Sequence, residues 1–174
     1  MQVNSHYQVR GVPGRVNRTS FRGRIVDFWS PPKPTHLLIA HDGQNIFDPR
    51  TATRRSTWRM AQNGIKVFEE AGLTPPAIIG VFHSSSKSDP NGRFKDLTPQ
   101  KPFLTNVKPQ VDTTLKIDEL HGDDYQRLIA EEIVPSILDY LNFKPSFENI
   151  AMVGSSMGGL ATLNRSEEHT SELQ

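Results

Sequence analysis

The feature that most constrains the fold lies near the end of the chain. Asn149-Ile150-Ala151-Met152-Val153 is a short apolar run, and it passes without a spacer into Gly154-Ser155-Ser156-Met157-Gly158-Gly159-Leu160. An apolar strand, then G-x-S-x-G, then small helix-compatible residues is the context of a strand–turn–helix elbow. The spacing has a steric reason. A serine at the tip of so sharp a turn projects its hydroxyl above the sheet. Glycines two before and two after let strand and helix pass without a Cβ clash. Ser156 is the serine in register as nucleophile, and Ser155 stands at a variable position. Met157 follows, so its backbone N–H is one expected donor to an oxyanion. The plainer alternative is a glycine-rich turn that only joins strand to helix. The dinucleotide spacing G-x-G-x-x-G is absent, and no Lys-Ser or Lys-Thr follows as a P-loop requires.

Two more apolar runs, His36–His41 and Ala77–Phe82, suit strands buried on both faces. Between them, Ser56 or Thr57 can cap a helix carrying Trp58, Met60, Ala61, Ile65, Val67, Phe68 and Ala71, with Gly72 as its stop. Tyr125, Leu128, Ile129, Ile133, Val134, Ile137, Leu138 and Leu141 repeat at helical spacing, with Asp123 or Asp124 as cap and Pro135 as a kink. Strand, helix, strand, helix, strand without hairpin signals argues for an α/β chain: a mostly parallel sheet flanked by helices. Residues 1–19 read as a loose lead-in with room for one short strand at Tyr7–Arg10. Phe21–Trp29 alternates like a half-buried edge strand, ended by Pro31, Pro32 and Pro34. Residues 84–118 are rich in Ser, Pro and Lys and carry no period; a loop this long is functional or mobile.

At 174 residues the chain is long enough for one domain with a real core. The formal net charge of +1 gives no reason to expect nucleic acid or an acidic membrane surface as partner. The one dense basic cluster, Arg50, Arg54, Arg55 and Arg59, reads as a solvated face. The absence of cysteine excludes disulfides, thiolate metal sites and a cysteine nucleophile. Met1–Arg10 has no apolar signal region and no run approaches a membrane span, so the expectation is a soluble, cytoplasmic protein.

A family resemblance rests on several segments together. His41-Asp42-Gly43-Gln44-Asn45-Ile46-Phe47-Asp48 resembles the D-G-Q-N-x-F-D segment of the esterase family related to esterase D and enterochelin esterase. Phe94-Lys95-Asp96-Leu97-Thr98-Pro99 resembles that family's R-D-L-T-P-type loop. The helix ending Glu132-Ile133-Val134-Pro135 and the segment Gly154–Leu160 also match. The resemblance covers about residues 20–164. It implies an α/β-hydrolase fold with a sheet of mostly parallel strands, and ester or acyl-group hydrolysis; the leading expectation is a small-molecule ester cleaved through an acyl-enzyme, and the sequence shows no cofactor or metal requirement. It also implies a second oxyanion donor in the loop after His41, at Gly43 or Gln44. Asp42 then either orients that loop or lines the substrate pocket, while Asp48 fits turn chemistry. His41 and His83 stand at C-terminal strand ends, where such a site forms, and are candidates for substrate contact. The plainer reading makes them pocket-wall histidines. His121 falls in the turn before the long helix.

Hydrolysis through a serine needs a base to take its proton and an acid to orient that base. On this fold both follow the serine in the chain. The only later candidates are Glu167, Glu168, His169 and Glu172, all within Arg165-Ser166-Glu167-Glu168-His169-Thr170-Ser171-Glu172-Leu173-Gln174. That decapeptide is one reading frame of a widely used sequencing-library adapter. The expectation is therefore that residues 1–164 are the N-terminal part of an α/β-hydrolase domain, truncated after the elbow. Residues 165–174 are then a non-native tail, and the chain alone is poorly soluble and nearly inactive. Two other expectations compete: an acyltransferase on the same scaffold, with an alcohol in place of water, and a non-catalytic binding protein of the same fold.

Overall fold

The computed structural model describes residues 1–104 and 116–171, the last six by backbone alone. The first thirty residues differ from the sequence expectation. They carry β1 (Ser5–Val9), β2 (Val12–Phe21) and β3 (Arg24–Trp29), paired antiparallel in succession. Two tight turns make this possible. Gly11 has φ 80°, and Arg22 and Gly23 both lie in the left-handed region at 49° and 81°. Positive φ at both central residues is what a two-residue hairpin turn with the strands' own twist demands.

The three apolar runs form β4 (Leu37–His41), β5 (Ala77–Val81) and β6 (Ile150–Val153). β4 pairs parallel with both β5 and β6, and β3 pairs antiparallel with β5. The order across the sheet is β1-β2-β3-β5-β4-β6. Parallel pairing is thus confined to the side that carries the elbow, and hairpins build the other side.

Strand alternation divides the core into two layers. Leu37, Ile39, Ala77, Ile79 and Val81 face Tyr125, Ile129, Ile133 and Ile137. Ala40 and Ile78 face Ile46, Phe47, Ala61 and Ile65 on the opposite side. Helices therefore flank both faces, as the run of buried strands requires. β6 departs from the expected burial: Ile150 and Ala151 are exposed and Met152 and Val153 half-buried. Among the described residues β6 has β4 as its one neighbour, so its outer edge is open.

Helix α1 (Met60–Glu70) starts after Arg59, which takes a left-handed φ of 55°, rather than at Ser56 or Thr57. Ala61 and Ile65 point inward, and Gly72 follows the end at φ 70°. Two helices, α2 (Gly92–Leu97) and α3 (Lys101–Leu104), lie in the segment without a period. Each is too short to show one. The long helix comes in three parts: α4 (Gly122–Leu128), a π-turn at Ile129–Ile133, and α5 (Val134–Tyr140). Pro135 explains the middle part. It has no N–H to donate and its ring crowds the carbonyl four residues back. The Val134 N–H reaches five residues back to the Ile129 carbonyl, the wider spacing of a π-bulge. His121 takes the cap position, and Asp123 and Asp124 fall in the first turn, where the helix dipole favours them. Helix α6 (Met157–Ser171) leaves the elbow.

An open apolar edge is a template for self-association. Replacing Ile150, 37% exposed at the start of β6, with lysine is expected to reduce concentration-dependent light scattering of the 174-residue chain while its circular dichroism is unchanged. Equal scattering would place the sticky surface elsewhere.

Candidate active site

Because β4 and β6 are parallel neighbours with Ala40 opposite Val153, their following loops leave the sheet at the same rim. The β6 loop is the elbow. Ser156 has φ 56° and is exposed. Gly158 N donates to Ser155 O at 3.0 Å and Leu160 N to Ser156 O at 3.1 Å, so α6 begins at once. Holding a non-glycine residue in this region costs about 1–2 kcal/mol, which the surrounding packing must offset. Gly154 permits the turn. A Cβ there would lie 2.3 Å from the Gly158 carbonyl carbon. Met157 opens α6, and the first N–H groups of a helix have no intrahelical acceptor.

The β4 loop approaches from the side. Asp42 is also left-handed, with φ 54° and ψ 45°, and Gly43–Asn45 form one turn of 3₁₀ helix. Asn45 N donates to Asp42 O at 2.9 Å and Ile46 N to Gly43 O at 3.1 Å. The N–H groups of Gly43 and Gln44 stand at the open start of that turn. Gly43 rests on β5 so closely that a Cβ would lie 2.2 Å from the Gly80 carbonyl carbon. Gln44 is buried, and its Oε1 has no hydrogen-bond partner among the described residues.

Of the residues singled out as substrate-pocket candidates, His83 lines a cleft. His41 has no accessible surface. Its Nδ1 lies 2.8 Å from Tyr125 Oη, and its Cβ packs beneath Gly158. Burial pushes its pKa down to about 4, against the opposing pull of Asp42. It is a neutral core histidine under the elbow, with no surface open to a substrate in this structure. Asp42 is likewise buried, at 1% exposure. The reason is an ion pair that sequence reasoning missed. Arg93, in the first turn of α2, donates Nε to Asp42 Oδ1 and Nη2 to Asp42 Oδ2, both at 2.7 Å. The same Nη2 lies 3.3 Å from Ser155 O. Hydrogen bonds to Asp42 hold the Arg93 guanidinium's pKa above its ordinary value, despite partial burial.

His83 lines a cleft of about 500 Å³ with Gln44, Thr51, Phe82, Ser84 and Arg24. Burial lowers its pKa. Ser85 N donates to its Nδ1 at 3.1 Å, which leaves Nε2 to carry the proton of the neutral ring. Asp96, within the segment that carries the family resemblance, is a structural pin: it grips both Arg24 Nη atoms, at 2.8 and 2.9 Å, and accepts Ser84 N. Asp48 accepts Arg50 N at 2.9 Å, as turn chemistry predicts. Among the described residues no group of His, Asp and Glu could hold a metal ion, and no helix is long and apolar enough to cross a membrane. The side chains of Glu167, Glu168 and His169, and all of Glu172, lie outside the described residues.

The arrangement of sheet, elbow and flanking helices is that of the α/β-hydrolase fold, and its solved neighbours include an enterobactin esterase and an enterobactin hydrolase. An enterobactin esterase, Fes, from Shigella flexneri, solved in the presence of 2,3-dihydroxy-N-benzoyl-glycine, superposes with TM-score 0.58 at 13% identity, over 87% of this chain and 32% of its own. The enterobactin hydrolase IroE in complex with DFP gives 0.55 at 21% identity, over 86% and 56%. The BES protein from Bacillus cereus gives 0.53 at 17% identity, over 92% and 57%. The chain thus spans about a third to just over half of these proteins. No family model matches it, and no curated protein does.

The buried histidine makes stability depend on pH. In the unfolded chain His41 takes up its proton near 6.5, and in the folded chain only near 4. Between these values the unfolded state binds more protons, so stability is full above about pH 6.5 and falls as the pH drops towards 4. The gap amounts to about 3 kcal/mol. Urea titrations across this range should show a shallower pH dependence for His41→Gln than for the unaltered chain; identical slopes would remove His41 as the source.

Proposed function

We propose that the chain carries the nucleophile and oxyanion-binding part of a serine-dependent carboxylic-ester hydrolase. The observation that carries this is the backbone of Ser156: left-handed and exposed, at the tip of a turn that glycine alone permits, beside a second left-handed turn at Asp42. Strain of this kind persists at functional sites because the neighbouring structure over-determines it. The names of the neighbours Fes and IroE, an esterase and a hydrolase of enterobactin, agree with the reaction type.

In this reading the Ser156 hydroxyl oxygen attacks the ester carbonyl carbon while its proton passes to a base. The carbonyl oxygen becomes an oxyanion, held by the Met157 N–H and by that of Gly43 or Gln44. The N-terminal end of α6 adds its positive dipole. Collapse expels the alcohol, which takes the proton back from the base, and leaves an acyl-Ser156 ester. Water, deprotonated by the same base, then attacks that ester and releases the acid. His41 cannot be the base, since it is sealed in the core. The reading assigns the base and its orienting acid to sequence beyond residues 1–164 and gives residues 165–174 no part. The cleft holding Gln44 and His83 is the proposed entry for a small-molecule ester.

The test uses the complete natural protein that contains residues 1–164. A fluorophosphonate probe should label the peptide bearing Ser156, and Ser156→Ala should abolish labelling and lower ester turnover at least about a thousand-fold. A folded protein that is not labelled at Ser156 would be a binding protein on a hydrolase scaffold.

A further inference from the structure

Two non-glycine residues at the rim of the sheet, Asp42 and Ser156, occupy left-handed backbone conformations on neighbouring loops. A single guanidinium spans those loops. Arg93 grips both carboxylate oxygens of Asp42 at 2.7 Å and reaches the carbonyl of Ser155, the residue before the elbow serine, at 3.3 Å. Among the described residues no other hydrogen bond joins the 42–48 loop to residues 154–158. The Asp42 carboxylate is almost wholly buried, so its charge needs this partner. Arg93 itself is held from behind. Gly92, before it, abuts Ser84 and Ser85 so tightly that a Cβ would lie 2.5 Å from Ser85 N. A bidentate fork fixes the plane of its partner as well as the distance.

We propose that Arg93 is a positioning residue for the reaction at Ser156, holding the Asp42 turn and the Ser155 carbonyl at one separation. The N–H of Gly43 or Gln44 on one loop and that of Met157 on the other then converge on the same oxygen. The inference rests on Ser156 being the nucleophile. It also accounts for part of the segment 84–104, which shows no period in the sequence, because α2 delivers the guanidinium to the rim. Arg93 touches no reacting atom. Oxyanion donors act on the charge that develops in the transition state, and small displacements weaken them steeply. Loosening the clamp therefore slows the chemical step and leaves substrate binding in the cleft nearly unchanged.

The experiment uses the complete natural protein, with a chromogenic short-chain ester as substrate and a fluorophosphonate as the active-serine probe. Arg93→Lys keeps the charge but loses the fork. Arg93→Gly leaves room for free guanidinium. Asp42→Asn combined with Arg93→Gln replaces the ion pair by a neutral one, so that no buried charge is stranded. Folding of each is checked by circular dichroism and melting temperature. The expected result is a kcat about 10- to 100-fold lower in every folded variant, with KM within about threefold. Millimolar guanidinium should restore about tenfold in Arg93→Gly. Folded Arg93→Lys and double variants with unchanged kcat would overturn the role of Arg93, as would losses that only follow the unfolded fraction and resist guanidinium. In both cases labelling of Ser156 in the unaltered protein would leave the nucleophile standing. An unaltered protein that is not labelled at Ser156 removes both.

Discussion

Everything at the rim depends on β4 lying between β5 and β6 in parallel register. Parallel neighbours end on the same side, so the loops after β4 and β6 meet without either having to turn back across the sheet. Close backbone contact then fixes how near they come. Gly43 lies directly on Gly80 of β5, and Gly154 lies against Gly158 of α6. Neither contact leaves space for a side chain. The three strands thus do more than form a core: their register sets the positions of the Asp42 turn and the elbow, and one arginine reaches both Asp42 and the Ser155 carbonyl.

That frame offsets two costs. One is the left-handed backbone at Asp42 and Ser156. The other is the carboxylate of Asp42, taken almost completely out of water. The Arg93 pair compensates the buried charge and ties down the turn that bears it. The layer below is different in kind. His41 and Tyr125 form a neutral pair in the core, with the Arg24 guanidinium 4.8 Å from the Tyr125 ring centre and Asp96 gripping that guanidinium. Burial keeps His41 uncharged and pushes the Tyr125 hydroxyl's pKa up. The rim is therefore supported from below by a neutral histidine–tyrosine pair.

The parts of this arrangement legible in the sequence are those with a local cause. A strand shows itself as a short apolar run, and His36–His41, Ala77–Phe82 and Asn149–Val153 all do so, although β6 is not buried on both faces. The elbow is legible because sterics demand glycine at set distances from Ser156. The N-terminal meander is harder to see because β2 is ten residues long and mixes Gly14, Arg15, Asn17 and Arg18 with its buried Val12, Val16 and Thr19. Its signal is the pair of X-Gly turns at Arg10-Gly11 and Arg22-Gly23. α2 and α3 span less than two turns each, too little for any period. The core location of His41 and the Arg93–Asp42 pair have no local signature at all. Both arise from packing between residues 51 or more positions apart.

The open side of β6 links the stability of the chain to the chemistry proposed for it. A cavity of about 560 Å³, lined by Ile39, Ile129, Val134, Ile150 and Met152, lies beneath that edge between the long helix and α6. In a parallel sheet such apolar surface belongs under cover. On its inner side Ser156 already has the β4 loop, with the oxyanion donors assigned to it. In the proposed mechanism the outer side, where β6 has no described neighbour, is open to a base approaching the serine. Structure that covered the apolar edge would then lie beside the proposed path of the base to Ser156. Under the proposed mechanism, covering β6 and completing the site become one physical requirement.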